Sequence, residues 1–338
     1  MSRLGRVLSA AVVLASALAA ASPAQAAAAT LPGWAIGPFV RYAGNPILTP
    51  QGTGWESLEV FNPGVVRVGG VYHMLYRGTR PVNISQIGAA TSADAIHFTR
   101  YAGNPVIGHQ LADESIAAED PRLFYLGGTY YTFYTGFSPG GTELNEATST
   151  DALHWHQLGA VISGTKNGAL VADPQGRPVL VGGQYLMYYG FDFSNTGGIG
   201  YATSPDMVHW TPRGAVNLNY PEAGAVEVCV GVTNYRAVRG QPLNHNILLF
   251  TAGHLNAVDP WYYEISEEEL SSATPTKLLA QLPGPILTPQ TSYEQVGVTP
   301  RAVFMNTIIY TRGAWQMYYG AADTVTALAS AKLRPPSS

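Results

Sequence analysis

The residues best suited to chemistry are two adjacent carboxylates, Glu119 and Asp120, followed directly by Pro121 and Arg122. Pro121 has no backbone N–H and biases Asp120 toward extended backbone, which suits the mouth of a strand rather than a helix. A carboxyl group held rigidly beside the permanent cation of Arg122 is suited to proton transfer. The alternative is a solvated turn with a surface ion pair, and this stretch alone leaves both open.

The elements around this pair follow one repeated pattern, a glycine turn and then an aromatic strand of alternating polarity. Five copies have their marker residues at Tyr72, Tyr130, Tyr185, Ile247 and Trp315. Strands that recur at a near-constant period with glycine and aromatic signatures indicate a β-propeller. The five copies predict an all-β fold, a five-bladed β-propeller.

A second motif, Ser-x-Asp-x-x-His, follows three of the copies and contains Asp94, Asp151 and Asp206. These aspartates are predicted to cap turns between outer strands. Metal ligation by the accompanying histidines is disfavoured because no pair has zinc-like spacing, so we expect no metal and no other cofactor. One segment, residues 266–270, resembles a short helix capped by Ser266, with Glu269 three residues on.

The first 26 residues have the features of a secretory signal peptide. Arg3 and Arg6 precede an apolar run, and Ala24-Gln25-Ala26 forms a small-x-small cleavage site. The run is shorter than the roughly 20 apolar residues of a membrane span. We therefore expect residues 1–26 to be removed and residues 27–338 to be secreted as a single propeller domain with no membrane partner.

Composition narrows the class of partner. Cys229 is the only cysteine, so the fold depends on its core rather than on a disulfide within the chain. The net charge of -4, without a basic cluster, argues against a nucleic acid partner. The 20 tyrosines and 6 tryptophans can stack on sugar rings, although they also fill sheets. The sequence leaves the oligomeric state unknown.

Other motifs accompany the carboxylate pair at the predicted mouths of the inner strands. They are Val60–Val66, Leu75–Gly78, Tyr293–Phe304 and Tyr318–Thr324. In this order they resemble glycoside hydrolase family 130, five-bladed propellers that act on β-mannosides as phosphorylases or as inverting hydrolases. The resemblance covers nearly the whole mature chain. The motifs Glu-Asp-Pro-Arg and Tyr-Tyr-Gly-Ala-Ala-Asp together are a specific sign of this family. Either motif alone would be weak evidence for the resemblance.

The resemblance implies roles for individual residues. Asp120 matches the general acid, and Asn62, Arg77 and Asp323 match residues that hold the sugar at the cleaved bond. Arg122 belongs to the motif of the acid and is expected to orient it or to bind a hydroxyl. Such planar side chains suit neighbouring sugar hydroxyls. For Arg77 the alternative is a buried ion pair that stabilises the axis.

The elements of the third and fourth blades that cradle phosphate in the phosphorylases are altered here. Only Lys166, Arg177 and His254 remain near those positions, and a phosphate dianion needs several fixed cations or N–H donors. Phosphate is also a poorer co-substrate than water for an exported enzyme. We therefore expect hydrolysis, which in an inverting enzyme requires a base that activates water opposite the acid.

Two glutamates are candidates for that base. Glu227 lies in an apolar strand, and Glu294 lies in one of the matching motifs. For Glu227 the alternative is a buried partner for an arginine such as Arg301. The sequence thus predicts a secreted inverting exo-hydrolase whose substrate is an oligosaccharide with β-linked mannose. The alternatives are a β-mannoside phosphorylase, a furanosidase of the related five-bladed families, or a non-catalytic sugar-binding propeller.

Overall fold

The strands of this computed structural model form five blades, each an antiparallel sheet of mostly consecutive strands. The structure describes residues 31–80, 84–191, 198–218, 226–233, 246–253 and 262–332. From Pro32 onward these residues belong to one compact unit. The prediction of an all-β, five-bladed propeller is confirmed.

After a short first strand, β1 (Val40–Arg41), the strands of each blade follow one another along the chain. Blade 1 contains β2 (Glu59–Val68), β3 (Val71–Arg80), β4 (Ile84–Ser92) and β5 (Thr99–Arg100). Blade 2 contains β6 (Ala117–Leu126), β7 (Thr129–Ser138), β8 (Gly141–Ser149) and β9 (His156–Ser163). Blade 3 contains β10 (Thr165–Ala172), β11 (Leu180–Val181), β12 (Gln184–Phe191), β13 (Ile199–Ser204) and β14 (Thr211–Val216), where β11 is an additional short strand.

Blade 4 also has four consecutive strands, whereas blade 5 has three and takes β1 as its fourth. Blade 4 contains β15 (Val226–Thr233), β16 (Ile247–Gly253), β17 (Glu264–Leu270) and β18 (Leu278–Gln281). Blade 5 contains β19 (Val303–Thr311), β20 (Ala314–Ala321) and β21 (Val325–Lys332). A 3-10 turn spans Ala112–Glu114, and the single-turn helix α1 spans Ser292–Gln295. Blades 3 and 4 are joined because β10 and β15 pair in parallel.

The strand that pairs antiparallel with the innermost strand of each blade is the aromatic strand of the sequence repeat. In blade 1, Tyr72, Met74 and Tyr76 alternate along β3 and are almost completely buried. The preceding glycines, Gly69 and Gly70, have φ values of 58° and 92°. Tight hairpin turns require positive φ, and glycine adopts it without strain. The repeat therefore combines a hairpin turn with one apolar strand face.

The hydrophobic core lies between adjacent blades. Val60 and Tyr72 of blade 1 share a buried cluster with Ile309 and Tyr318 of blade 5. The ring is closed by β1, which precedes blade 1 in the chain yet pairs antiparallel with β21 of blade 5. The two ends of the described chain are thereby tied into one sheet, as closure of a propeller requires.

The innermost strand of every blade carries one residue more than the strand beside it. In blade 2, Glu119 pairs with Thr135 and Arg122 pairs with Phe133, so β6 has one extra residue between these two pairs. Equivalent bulges occur in β2, β10, β15 and β19. A β-bulge leaves its extra residue out of the ladder and changes the direction of its side chain.

Three of these bulges hold a polar residue in the left-handed backbone region. Asn62, Asp120 and Asn167 have φ values of 49°, 53° and 57°, which Asn and Asp tolerate better than other non-glycine residues. The prediction that Pro121 holds Asp120 in extended backbone is wrong, because Asp120 is the extra residue of a bulge. Pro121 suits this place because it has no N–H to leave unpaired.

The Ser-x-Asp-x-x-His repeats form turns between the last two strands of blades 1 to 3, as predicted. The Asp94 carboxylate accepts hydrogen bonds from the backbone N–H groups of Ile96 and His97 at 3.0 and 2.8 Å, and it lies 2.7 Å from the His97 ring. Asp151 and Asp206 make the same contacts. The three motifs are therefore structural caps.

The segment predicted as a short helix, residues 266–270, is instead part of β17. β17 lies between β16 and β18, and this pairing outweighs the local capping pattern of Ser266 and Glu269. The consecutive glutamates of β17 are buried and bonded. Glu267, for example, accepts a hydrogen bond from the backbone N–H of Ile36 at 2.9 Å.

The predicted signal peptide, residues 1–26, lies outside the described residues. Its cleavage and the export of the chain therefore stay predictions. Within the described ranges, no helix is long and apolar enough to cross a membrane.

Gly64 lies where the innermost strands of blades 1 and 2 approach each other. A Cβ there would lie 2.7 Å from the Pro121 carbonyl oxygen and 2.8 Å from the Leu123 backbone nitrogen. We expect Gly64→Ala to lower the free energy of unfolding by about 1–3 kcal/mol through overpacking, measured by thermal or denaturant unfolding. Gly54→Ala is the matched control, since a Cβ there meets no atom within 4 Å. Equal stability of the two variants would contradict this description of the blade contact.

Candidate active site

A depression of about 370 Å³ lies at the centre of the ring, where the innermost strands begin. Each of the five blades contributes a charged or amide side chain to it. In blade order these are Asn62, Asp120, Lys166, Glu227 and Asp323. Arg77 of blade 1 also lines it. The structure therefore brings together the predicted acid, three predicted sugar-binding residues and the first candidate base.

Asp120 is held by an amide and a guanidinium group. The Asn62 side-chain amide donates to Asp120 Oδ1 at 2.7 Å, and Arg77 Nη1 donates to the same oxygen at 3.3 Å. Arg77 Nη2 lies 2.7 Å from Glu119 Oε1, and Arg77 Nε donates to Ser85 Oγ at 2.9 Å. The described residues provide no hydrogen bond to Asp120 Oδ2, which leaves this oxygen available to a ligand.

The two adjacent carboxyl groups differ in pKa. Burial favours the protonated form of both. For Asp120, the charge of Arg77 and the hydrogen bond from Asn62 outweigh burial, so its pKa lies below the usual aspartate value. For Glu119, burial and the nearby charge of Asp120 outweigh the charge of Arg77, so its pKa is raised. Glu119 therefore takes up the first proton of the pair.

Asp323 lies in the turn between β20 and β21 with a φ of 46°. Burial raises the pKa of its carboxyl group to about 6, against the effects of a hydrogen bond from Thr299 and the charge of Arg77. The group therefore changes protonation in a range in which many enzymes work. When protonated it can donate a hydrogen bond to a sugar hydroxyl, and when ionised it can only accept.

Glu227 lines the depression from blade 4. Lys166 Nζ lies 3.0 Å from Glu227 Oε2, the Asn167 amide donates to the same oxygen at 2.6 Å, and the Tyr263 hydroxyl donates to Oε1 at 3.0 Å. The cation paired with Glu227 is thus Lys166 rather than Arg301. The carboxylate is oriented by three groups and keeps 11% of its side chain exposed.

This geometry is found in a chain that matches known proteins over most of its length. The sequence profile of a family described as "beta-1,4-mannooligosaccharide phosphorylase" matches residues 49–335. The chain belongs to glycoside hydrolase family 130.

Two relatives from Thermoanaerobacter sp. (strain X514) are similar to this family 130 protein. A 1,2-beta-oligomannan phosphorylase is 28% identical over 306 residues, which are 87% of this chain and 97% of the relative. A beta-1,2-mannobiose phosphorylase is 27% identical over 310 residues, which are 85% and 94% of the two chains.

A solved structure of a family 130 protein is also similar, with a TM-score of 0.77 and 25% identity. The match covers 91% of this chain and 97% of that chain. The description of that structure reads "The GH130 family of mannoside phosphorylases contains glycoside hydrolases that target beta-1,2 mannosidic linkages in Candida mannan". The match agrees with the five-bladed architecture described above.

Arg122 of this family 130 chain lies beneath the depression rather than in its lining. It is 1% exposed, its guanidinium lies 5.6 Å from the centre of the Phe304 ring, and it borders a separate cavity of about 20 Å³. The side-chain amide of Asn306 is oriented with its oxygen toward Arg122. Arg122 Nη1 donates a hydrogen bond to that oxygen. Its charge helps to hold down the pKa of Asp120 against burial. It is placed to influence the acid by charge, not to bind a hydroxyl in the depression.

Glu294, the second candidate base, is fully buried outside the lining of the depression. One carboxylate oxygen accepts hydrogen bonds from the backbone N–H groups of Gln290 and Thr291 at 2.8 and 2.9 Å. The other accepts from Arg41 Nε at 2.7 Å and from the Tyr319 hydroxyl at 2.8 Å. These are the contacts of a helix capping box and a structural ion pair. Glu294 therefore has no place in the candidate site.

The cations considered for phosphate binding are placed differently from one another. Lys166 lies in the depression. The Arg177 side chain is 64% exposed and lies 2.6 Å from the Asp173 carboxylate, outside the described lining of the depression. His254 lies outside the described residues.

Several residues of the depression were not predicted as site residues. Phe61 is the neighbour of Asn62, and Phe304 is the last residue of a matching motif, so these motifs were an available signal. Phe137 and Tyr263 carry no comparable signal, because only the strand register brings them to the depression. Glu119 was visible as the neighbour of Asp120, but its contact with Arg77 depends on the fold.

The raised pKa of Asp323 predicts a pH-dependent effect on stability. The folded carboxyl binds its proton more tightly than the unfolded one, so stability is lost as pH rises from about 4 to about 6. We expect Asp323→Asn to have a higher Tm than the wild type at about pH 7.5 and a similar Tm at about pH 4. Differential scanning calorimetry across this range measures both.

Asp94→Asn is the control with the opposite sign. Hydrogen bonds from His97 and neighbouring backbone groups hold the pKa of Asp94 well below its usual range. The loss of stability in this variant should therefore be greatest above about pH 4 and vanish at lower pH. A Tm of Asp323→Asn equal to that of the wild type at every pH would contradict the desolvation of Asp323.

Proposed function

We propose that this family 130 enzyme cleaves β-mannosides in the central depression by inverting phosphorolysis, with Asp120 as general acid. The observation that carries the proposal is the convergence of Asp120, Asn62, Arg77 and Asp323 in one depression. Both curated relatives named above are mannoside phosphorylases, which favours phosphate over water as the acceptor. The proposed substrate is an oligosaccharide with a terminal β-linked mannose, attacked from its end.

The reaction exchanges one bond at the anomeric carbon. A phosphate oxygen forms a bond to this carbon on the face opposite the leaving group, and the bond to the bridging oxygen breaks. Asp120 transfers its proton to the bridging oxygen, so the products are α-mannose 1-phosphate and a shortened sugar. Asn62 and Arg77 offer planar donors for neighbouring hydroxyls of the reacting mannose.

Asp120 must hold a proton when the bond breaks. With no other group engaging them, Arg77 and Asn62 overcome the effect of burial and keep the pKa of Asp120 low. A sugar whose hydroxyls engage Asn62 and Arg77 weakens both interactions and excludes water. Both changes raise the pKa of Asp120, so substrate binding is coupled to proton uptake at the acid.

Lys166 is the described cation of the depression that is best placed to meet the phosphate. It extends from blade 3, and 14% of its side chain is exposed beside Glu227. A phosphate bound here must displace Glu227 or leave it protonated, because two anions close together on one cation repel each other.

Hydrolysis is the second candidate, and it is favoured by the placement of Glu227. A base needs a carboxylate fixed within reach of water, and Asn167 and Tyr263 orient this one. The described lining also contains four carboxylates and two cations, which disfavours a phosphate dianion. In this reaction Glu227 takes a proton from the attacking water.

Two further features of the proposal come from the sequence. Family membership together with the clustered acid and sugar-binding residues favours catalysis over the furanosidase and non-catalytic alternatives. We also propose that the chain is exported after removal of residues 1–26.

Product analysis with and without phosphate separates the two candidate reactions. We expect β-mannobiose to yield α-mannose 1-phosphate and mannose in phosphate buffer and to stay uncleaved in phosphate-free buffer. Proton and phosphorus NMR detect these products. Equal cleavage in both buffers, with α-mannose released first, would replace phosphorolysis by inverting hydrolysis. If neither β-1,2- nor β-1,4-mannobiose is cleaved in either buffer, the proposed activity is wrong.

Asp120→Asn tests the acid in the same assay. Loss of a positioned general acid should lower turnover roughly 10²–10⁴-fold while the circular dichroism spectrum stays that of the wild type. Asp151→Asn is the matched control, because it changes an aspartate in the outer turn of the same blade. Equal turnover by the two variants would exclude Asp120 as general acid.

A further inference from the structure

Phe137 is an aromatic side chain that the described fold leaves exposed at the edge of the depression. Its exposed fraction is 38%. Among the large apolar side chains exposed in the described ranges, it is the only aromatic one and the only one that lines the depression. The reaction proposed above does not account for an apolar ring left in water at this place.

The ladder of blade 2 fixes the position of Phe137 relative to the acid. Glu119, the neighbour of Asp120, pairs with Thr135, and Ala117 pairs with Phe137. Phe137 therefore lies two residues beyond Thr135, about 7 Å further along the strand. Thr135 is 2% exposed, so Phe137 is the exposed surface of β7 next to the acid.

The leaving group must lie on the side of the depression that carries the acid. A general acid has to reach the bridging oxygen within hydrogen-bond distance, and Asp120 belongs to blade 2. In the proposed reaction the terminal mannose is held by Asn62, Arg77 and Asp323, which belong to blades 1 and 5. The sugar on the other side of the bridging oxygen therefore lies against blade 2.

We propose that Phe137 is the binding platform for the leaving hexopyranose, with its ring stacked on the apolar C–H face of that sugar. Aromatic rings contribute large apolar contact areas at such positions. Glu119, in the same blade and with 22% of its side chain exposed, offers a carboxylate to a hydroxyl of this sugar. The assignment rests on the proposed function, and it applies to either acceptor because phosphorolysis and hydrolysis release the same leaving sugar.

The test compares two substrates that differ only in the leaving group. β-Mannobiose releases a hexopyranose, whereas methyl β-mannoside releases methanol and has nothing to stack on Phe137. In Phe137→Ala we expect the ratio of kcat/KM for mannobiose to that for methyl mannoside to fall about 10-fold, the size of a lost stacking contact. KM for mannobiose should rise more than its kcat falls.

Two further variants separate stacking from a general loss of structure. Phe137→Trp keeps an aromatic face and should retain the ratio of the wild type. Leu158→Ala changes another exposed apolar side chain of blade 2, 41% exposed on β9 and outside the depression, and should also retain it. If circular dichroism shows that Phe137→Ala is unfolded, Phe137→Leu replaces it in the test. Leucine keeps an apolar contact without a flat face, so the ratio of kcat/KM values should still fall.

The outcomes distinguish the platform from the reaction. If the wild type cleaves mannobiose but Phe137→Ala changes neither the substrate ratio nor KM for mannobiose, the platform is wrong and the proposed function stands. If the wild type cleaves neither substrate, the proposed function fails and the platform fails with it.

Discussion

In every blade the innermost strand has one residue more than the strand beside it, and this mismatch is the constraint on which the site depends. In a regular strand, side chains alternate between the two faces, and every backbone group belongs to the ladder. The bulge takes one residue out of the ladder in each blade. This residue is Asn62 in blade 1 and Asp120 in blade 2. A left-handed backbone costs about 1 kcal/mol or more for a residue with a side chain. The interblade cores and the pairing of β1 with β21 hold these positions in place.

Arg77 links the bulge at Asp120 to the chemistry of the depression. The Arg77 guanidinium contacts both Asp120 and Glu119. Its position is set by a hydrogen bond to Ser85 and by the Phe61 ring, whose centre lies 4.8 Å from the guanidinium carbon. A single cation shared by two buried carboxyl groups favours ionisation of one and protonation of the other. The same guanidinium that binds sugar hydroxyls in the proposed reaction therefore also sets the charge of the acid. Binding and proton transfer are linked by one side chain.

Much of this arrangement could be predicted because it is encoded in repeats and motifs. The spacing of the aromatic strands identified the blades, and the matching motifs identified Asp120, Asn62, Arg77 and Asp323, which the fold brings together. Local rules failed where tertiary structure overrides them. The proline rule predicted extended backbone at a position that the bulge makes left-handed, and a capping pattern predicted a helix where strand pairing prevails.

The two candidate bases show a different limit of the sequence. Glu227 and Glu294 are both buried, and burial alone does not reveal whether a carboxylate faces the depression or caps a helix. The Thr291-x-x-Glu294 pattern is a capping box, so the structural role of Glu294 was readable. The pairing of Glu227 with Lys166 joins blades 3 and 4, and no local pattern predicts a contact across such a distance in sequence.

The central claim is that Asp120 protonates the bridging oxygen of a sugar held at the axis of the propeller. A crystal structure of Asp120→Asn with bound β-mannobiose tests it most directly, because we expect the variant to keep the fold and leave the substrate intact. The account predicts the bridging oxygen within hydrogen-bond distance of the residue 120 side chain, with the terminal mannose contacting Asn62, Arg77 and Asp323. A disaccharide bound elsewhere, or one whose bridging oxygen lies out of reach of residue 120, would contradict it.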